Sequence, residues 1–282
     1  MIIFDIKKII GMEDIMGELS TMMHSLKMSF QARLQYRLNT LVTTLAVFVR
    51  ESTNIIVIYL TLMKFNKLND WDVNEMLFLF SIMYITYAIV VSLFADLREF
   101  TWVVKEGKLD RLLLRPRGVL LQLILNNADV MASMGHGTMG ILLFVVSANR
   151  VGIEWDFTTI AYYTAAIIGG VLIQGGIFIL FSSLTFYFTE VNSVRAILYW
   201  RMRKFSGYPI SIFNKVIQYI MIYVVPLAFV NYFPAQYLLR KDDMANYNEV
   251  YMYIAPLVGV VVYAVGYLFW RISIRKYTST GN

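Results

Sequence analysis

The sequence contains no cysteine and only two histidines, His24 and His136, among its 282 residues. Disulfide bonds are therefore impossible, and zinc sites built from clustered His and Cys ligands, including HExxH sites, are excluded. Without cysteine, the sequence also leaves the redox compartment of the protein open. No metal site of these types is therefore expected in this chain.

The sequence also lacks motifs for nucleotide binding and for serine catalysis. Gly107 and Lys108 resemble the end of a phosphate-binding loop, but Leu109 stands where Ser or Thr is required and Trp102 replaces the first glycine. No GxSxG motif is present. We therefore predict that the chain is not an enzyme by itself and holds no cofactor. If it works with ATP, another chain binds the ATP and its Mg²⁺.

Charged residues are scarce and unevenly distributed. They make up 16% of the chain, against 58% hydrophobic residues, whereas soluble domains are about a quarter charged. Five runs of at least 19 residues carry no charge, and a helix needs roughly 20 residues to cross about 30 Å of hydrocarbon. The runs are Met76–Ala95, Val130–Ala148, Phe157–Thr189, Val216–Leu239 and Val250–Trp270. A sixth run, Leu38–Met63, is apolar except for Arg50 and Glu51.

These runs predict an all-α, multi-pass membrane protein. A soluble protein would need five core helices with no polar face, whereas helices of globular proteins typically have an amphipathic stripe. We expect six spans at about 38–63, 75–95, 128–148, 158–182, 210–230 and 250–270. Residues 1–37 form a cytoplasmic segment, with an amphipathic helix at Ser29–Arg37 on the inner leaflet, and 271–282 form a tail. The segment Met1–Ile10 is charged and has no apolar core, so no cleavable signal peptide is expected.

The distribution of basic residues predicts the orientation. The segments 1–39, 96–118, 187–210 and 271–282 together hold 18 Lys and Arg residues, whereas the opposite loops hold four. Because positive residues favour the cytoplasmic side, both termini are predicted to be cytoplasmic. The net charge of +6 then follows from membrane topology, and nucleic acid is not needed to explain it.

Several polar residues interrupt the apolar runs. Arg50 and Glu51 would lie near mid-membrane, where a charge costs about 3 kcal/mol to insert. Neighbours in sequence do not face each other on a helix, so Arg50 and Glu51 are each expected to need a separate partner. Lys215 is one candidate partner for Glu51. Alternatively, the first helix sits deeper and Arg50 reaches the inner headgroups. Asp129 and His136 would either line a substrate path or bond a neighbouring helix.

Two prolines predict a bend in the fifth run. A helix is kinked or broken at each of Pro226 and Pro234, so 226–239 is expected to be a re-entrant gate or a solvent-facing loop. Small residues four apart predict close helix packing. They are Ala165 with Gly169, Ala166 with Gly170, Ser133 with Gly137, and Ala255 with Gly259.

The segment EGKLDRLLLRPRG, residues 106–118, is the most charged stretch of the chain. Leu109, Leu112 and Leu113 would share a helix face, flanked by Asp110, Arg111 and Arg115, and Pro116 would end the helix. Such a helix could lie on the inner leaflet. However, anionic lipid would repel Glu106 and Asp110, so we favour docking into a groove of a soluble partner.

Four stretches resemble the ABC type-2 permeases, the six-span membrane subunits of ATP-binding-cassette exporters. They are EGKLDRLLLRPRGVLLQL (106–123), GYPISIF (207–213), PLAFVNYFPAQYLL (226–239) and RKYTSTGN (275–282). The resemblance covers nearly the whole chain in the same order and spacing.

This resemblance implies a bacterial plasma-membrane exporter. It implies that 106–115 is a coupling helix seated on a separate ABC ATPase, through Glu106, Leu109, Asp110, Arg111, Leu112, Leu113, Leu114 and Arg115. It also implies a second permease subunit, identical or similar, and outer re-entrant helices after span five. The family exports lipid-like cargo, drugs, antibiotics and peptides, so the substrate stays open.

Two other functions are considered. A secondary transporter could use Arg50, Glu51, Asp129 and Lys215 as an ion or proton relay. A membrane-bound interaction or immunity protein would transport nothing. For an exporter, the substrate-path and gate candidates are Arg50, Glu51, Asp129, His136, Lys215, Pro226 and Pro234.

Overall fold

The computed structural model describes residues 28, 31, 37–65, 68–126, 129–188, 190–241 and 247–278. Within these residues the regular structure is helical, and extended residues pair only in an isolated bridge between Leu68 and Trp71. The predicted all-α class is therefore confirmed for this part of the chain. The predicted amphipathic helix Ser29–Arg37 lies almost entirely outside it.

The helices follow one another with short connections. The first half of the chain contains α1 (Arg37–Phe65), α2 (Val73–Leu93), α3 (Ala95–Arg98), α4 (Phe100–Lys105), α5 (Lys108–Leu113) and α6 (Val119–Asn126). The second half contains α7 (Val130–Ala148), α8 (Phe157–Leu184), α9 (Val191–Arg195), α10 (Met202–Phe205), α11 (Lys215–Tyr219), α12 (Tyr232–Leu239) and α13 (Val250–Ser273). Two π-helices, Ala196–Arg201 and Ile220–Val224, continue α9 and α11, and a 3₁₀-helix, Leu227–Phe229, precedes α12.

Four of the described helices are long and apolar enough to cross a membrane. They are α2, α7, α8 and α13, the last with its extension to Lys276. A fifth candidate is the bent pair Lys215–Val224 and Leu227–Leu239, whose two parts meet at 74°. The protein is thus a multi-pass helical membrane protein. Helix α1 has 29 residues, or about 44 Å, and its role as a further crossing stays a prediction.

Contacts between helices define two ends of the bundle. Near the starts of α1 and α7, the Thr44 hydroxyl donates to the Met131 carbonyl; this end, where α2 also finishes, is called the lower end. The opposite end, where α2 and α8 begin, is called the upper end. Helix α13 begins there too, because Tyr162 in the second turn of α8 donates to the Met252 carbonyl.

Aspartate caps start two of the long helices at the upper end. Asp72 and Glu75 form a reciprocal capping box on α2, with N–H···O distances of 2.8 and 2.9 Å. Asp156 caps α8 by accepting from the Thr159 amide at 2.7 Å. Hydrogen bonds from Thr159 hold the pKa of Asp156 below its usual value, so this cap stays ionised at neutral pH. The start of each of these two helices is therefore determined by residues within its own first turn.

Helices α8 and α13 cross at glycine. A Cβ atom placed on Gly259 would lie 2.3 Å from the Gly169 carbonyl oxygen, and one on Gly169 would lie 2.7 Å from the Cα of Pro256. Further along the same pair, a Cβ on Gly266 would lie 2.8 Å from the Gly176 carbonyl oxygen. The two backbones touch, as the spacing of small residues predicts.

The chain from Val191 to Phe205, called the ascending segment, climbs from the lower end to mid-bundle. At its foot, Asn192 accepts a hydrogen bond from Thr101 at 3.0 Å. At its top, the Ser206 hydroxyl lies 3.4 Å from the sulfur of Met83, the midpoint of α2. The prediction that 187–210 is a cytoplasmic loop is therefore wrong. Apolar contacts embed this stretch despite the four basic residues that made it read as a loop.

The bent pair Lys215–Val224 and Leu227–Leu239 has both of its ends at the upper end. At its beginning, Gln218 accepts a hydrogen bond at 2.8 Å from Tyr247, which stands just before α13. At its finish, Lys241 pairs with Glu75 on α2 at 2.8 Å. In place of the straight span predicted over 210–230, the chain bends by 74° near Pro226 and turns back. Its crossing of the membrane therefore stays a prediction.

Candidate functional site

The predicted docking helix is present as α5, with Gly107 directly before it. Gly107 has φ of 63°, a left-handed conformation that glycine adopts without strain. This turn reverses the chain after α4, and Lys108 pairs with Glu106 across it at 2.6 Å. Helix α5 therefore projects at the lower end of the bundle, beyond the end of α2.

The leucines of this segment divide between two surfaces. Leu109 and Leu112 are buried within the chain, at 0% and 4% exposure, whereas Leu113 and Leu114 are 44% and 86% exposed. The expectation that Leu109 and Leu112 contact a partner is therefore wrong, because they anchor α5 to its own bundle. The exposed surface, called the lower surface, consists of Glu106, Lys108, Arg111, Leu113, Leu114 and Arg115.

Helix α5 is held from two sides. The Tyr277 hydroxyl, in the tail after α13, donates to the Asp110 carboxylate at 3.0 Å. On the other side, the Gln122 amide of α6 donates to the carbonyls of Leu112 and Arg117 at 3.1 and 3.0 Å. Asp110 is therefore a positioning residue within the chain, and the lower surface is presented on a fixed support.

A second group of polar side chains lies inside the bundle, beside α2. Arg50 donates to Glu51 Oε1 through Nε and Nη2 at 3.0 and 2.8 Å, and the Tyr84 hydroxyl donates to Glu51 Oε2 at 2.9 Å. The expectation that Arg50 and Glu51 need separate partners is wrong, because the long arginine side chain reaches back to its neighbour. Glu51 is buried, while 64% of the Arg50 side chain is exposed.

His136, Tyr87 and Arg203 complete this group, which is called the polar cluster. The His136 ring lies 4.8 Å from the Tyr87 ring, edge to face, and 6.0 Å from the Tyr84 ring. The Arg203 guanidinium carbon lies 3.3 Å from the Tyr87 ring centroid, a cation–π contact. Arg203 belongs to the ascending segment, so three helices and this segment meet in the cluster.

The other predicted path residues lie elsewhere. Asp129 caps α7 through the Ala132 amide and pairs with Arg98 at 3.2 Å, at the lower end. Lys215 lies 5.8 Å from the Tyr247 ring centroid, at the upper end, so it is not the partner of Glu51. The four residues of the proposed ion relay therefore lie in three separate places: Arg50 and Glu51 inside the bundle, Asp129 at the lower end and Lys215 at the upper end. They do not form a continuous chain of contacts.

The two prolines behave differently. Pro226 separates the π-helix Ile220–Val224 from the 3₁₀-helix Leu227–Phe229, at the bend of the re-turning chain. Pro234 lies in the first turn of α12, where no intrahelical N–H bond is needed, and it does not break the helix. The prediction of a break at Pro234 is therefore wrong.

Three residues of the polar cluster were not among the residues predicted from sequence. Tyr84 and Tyr87 lie in a charge-free run and read as ordinary span residues, while Arg203 lay in the presumed loop. The available signal was the sequence YWRMRK (199–204), in which aromatic residues adjoin basic ones. Trp200 in this stretch packs edge to face on Tyr87 at 6.4 Å, so the aromatic residues mark an embedded segment.

Comparison with known proteins gives one family. A family model described as ABC-2 family transporter protein matches residues 48–281, which include both the lower surface and the polar cluster. Neither the curated proteins nor the solved structures gave a significant match.

Proposed function

Since that family model covers most of its length, this chain belongs to the ABC-2 family of transporter proteins, and we propose that it is the permease subunit of an ABC exporter. Permeases of this family are membrane components that associate with an ABC ATPase and are generally not catalytic alone. In our proposal the ATPase is a separate chain that binds ATP and Mg²⁺. The observation that carries the proposal is the lower surface, which presents two exposed leucines among charges on a firmly held helix.

The proposed topology has six crossings in a bacterial plasma membrane. They are α1, α2, α7, α8, the ascending segment with its continuation to Asn214, and α13, with the re-turning pair at 215–239 dipping in from the outer side. Both termini then lie with the lower end in the cytoplasm. Removing the ascending segment from the inner loops and adding Lys215 to the outer side leaves 14 inner basic residues against five outer ones, so the charge bias still supports this orientation.

Hydrogen bonds support a route from docking to the membrane path. Helices α3 and α4, which carry α5, bond to the foot of the ascending segment: Thr101 donates to Asn192, and Arg195 donates to the Arg98 carbonyl. When two ATPases close on ATP, movement of α5 would tilt the ascending segment and shift the population from inward-open to outward-open states. A second permease copy, identical or similar, would complete the path.

The upper end offers a gate for this path. Lys241, which follows α12, pairs with Glu75 and lies 5.2 Å from the Trp71 ring centroid. The two charged side chains are mostly buried, at 16% and 18% exposure. This contact holds the end of the re-turning pair against the start of α2. Opening of the path at the upper end would therefore require the re-turning pair to move together with α2.

Labelling of single cysteines tests the topology, since the chain has none of its own. With Lys215→Cys, a membrane-impermeant maleimide should react in intact cells, because Lys215 lies at the upper end. With Leu114→Cys, reaction should require permeabilised cells. Labelling of Leu114→Cys in intact cells would overturn the docking proposal, and protection of Lys215→Cys would overturn the re-turning pair.

The function is tested by purifying the tagged permease from its native membranes in mild detergent and reconstituting it, with any ABC ATPase that co-purifies, into vesicles. We expect an equimolar complex whose ATP hydrolysis continues after ionophores collapse the proton and Na⁺ gradients. Hydrolysis should stop when the permease is omitted from the membrane fraction. A chain that binds no ATPase, and whose solute flux follows an imposed ion gradient, would instead be a secondary transporter.

A further inference from the structure

The ascending segment brings three cations to mid-membrane depth. Arg201, Arg203 and Lys204 fall within four residues, and Val191–Phe205 contains no acidic residue. Trp200 against Tyr87 and Ser206 against Met83 set their depth beside the middle of α2. A cation at such a depth is strongly unfavourable if it faces lipid. These side chains therefore need an anionic or aqueous environment.

No ion pair within the described part of the chain neutralises this charge. The ion pairs formed by the described residues include none of Arg201, Arg203 or Lys204. Glu51 belongs to the polar cluster at this depth, and Arg50 pairs with it at 2.8 Å. The polar cluster and its neighbours thus carry an excess of positive charge.

Two groups of the cluster have buried polar atoms without a partner among the described residues. Among the described residues nothing bonds Nε or Nη2 of Arg203, or Nδ1 of His136, and His136 is only 3% exposed. Buried polar atoms in proteins are nearly always hydrogen-bonded. Both groups contact the Tyr87 ring, so their unused nitrogens mark one place.

An apolar surface adjoins the cations. Below Arg201 and Lys204, which are exposed, the side chains of Val194 and Ile197 are 45% and 54% exposed. The accessible face of the ascending segment is therefore apolar near the lower end and basic above. A molecule lying along this face would match it with an apolar part and an acidic group.

We propose that Arg203, beside His136 on the Tyr87 ring, binds the acidic group of an amphipathic cargo, a phosphate or a carboxylate, and that the exposed Arg201 and Lys204 attract this group toward it. The arginine fork matches such oxyanions by paired hydrogen bonds, and its strength increases where water is excluded. The assignment rests on the proposed transport function, because the exposed cations must face a path rather than lipid. It narrows the cargo from any lipid, drug or peptide to acidic amphiphiles.

The test measures binding to the full chain in nanodiscs of zwitterionic lipid, with empty nanodiscs as the blank. A fluorescent alkyl phosphate is displaced by dodecyl phosphate, laurate, dodecyltrimethylammonium or inorganic phosphate. Dodecyl phosphate and laurate should compete, and the ammonium compound of equal chain length should not. Equal competition by the ammonium compound would overturn the proposal, because binding would then be hydrophobic only. Competition by inorganic phosphate at equal concentration would show that the alkyl chain is not needed, and would overturn only the claim that the cargo is amphipathic.

Variants locate the site. Arg203→Gln should weaken binding of the alkyl phosphate roughly tenfold or more, the loss expected for one charged hydrogen-bond pair, and Arg203→Lys should lose less. Arg150→Gln removes the same charge from an exposed position at the upper end and should change nothing. If Arg203→Gln fails to fold, Arg201→Gln and Lys204→Gln alter exposed side chains and give the same reading. Unchanged binding in all three would overturn the site.

The two proposals fail separately. ATPase association is measured on the same preparations and does not depend on the anion. Anion binding by a chain that recruits no ATPase would remove the exporter function and leave an acidic-ligand site. A functional ATPase complex that binds no alkyl phosphate would remove this inference alone.

Discussion

Replacing Arg111 with Glu and Leu114 with Asp should release the ATPase from the purified complex while the permease stays folded. Both side chains are exposed on the lower surface, with Leu114 at 86%, and neither supports the bundle. Anchor residues at the centre of an interface are worth about 2 kcal/mol or more each. Losing two would weaken association by up to roughly a thousandfold, so co-purification should be lost.

Controls separate docking from folding. Arg150→Glu makes the same charge reversal at the upper end and should leave the complex intact. Leu109→Ala removes a fully buried side chain. The cavity should lower the free energy of unfolding of the permease by about 2–5 kcal/mol. The measurement is the ratio of ATPase to permease after affinity purification. An unchanged ratio with the double variant would rule out the lower surface as the docking site.

The spans that carry no charge were predictable from sequence. Helices α2, α7, α8 and α13 lie within a few residues of four of the predicted spans, because uninterrupted apolar length is a direct requirement of the bilayer. The upper ends of α2 and α8 could also be predicted, since Asp72 and Asp156 are N-cap residues that stand just before charge-free runs. These features are local, and local sequence determines them.

The ascending segment was not predictable in the same way. A segment that contains Arg195, Arg201, Arg203 and Lys204 has the composition of a loop, and only its packing on α2 and α8 places it inside the bundle. Tyr199 there donates to Gln174 at 2.8 Å, a partner 25 residues away. Conversely, Val216–Leu239 has the composition of a span but turns back, because Pro226 interrupts its hydrogen bonding and Lys241 holds its end at the upper end.

The candidate site was predictable only in part. The charge pattern of 106–118 indicates a projecting helix, but the choice between buried and exposed leucines depends on α6 and the tail, which are distant in sequence. The same holds for Glu51, whose second oxygen bonds Tyr84 of α2. Residue type indicates which side chains need a hydrogen-bond partner, but the identity of that partner depends on tertiary packing.

Replacing Gly259 with Ala should destabilise the permease strongly, whereas Gly137→Ala should not. The new methyl at 259 would lie 2.3 Å from the Gly169 carbonyl oxygen, a backbone atom that cannot rotate away. Separating α8 from α13 to admit it should cost about 3 kcal/mol, the upper range for overpacking. The methyl at 137 would lie 3.5 Å from the Ala88 Cβ, an ordinary contact, and alanine favours a helix by up to about 1 kcal/mol over glycine.

The comparison is matched, since both changes add one methyl group to a glycine of a long apolar helix. Thermal unfolding in detergent, followed by loss of the monodisperse peak on size exclusion, gives the two midpoints. We expect a much lower midpoint for Gly259→Ala and an equal or slightly higher one for Gly137→Ala, relative to the unmodified chain. Equal midpoints for the two variants would mean that α8 and α13 do not touch at glycine. The ascending segment packs on α8, so the same loosening should also lower ATP hydrolysis by the reconstituted complex.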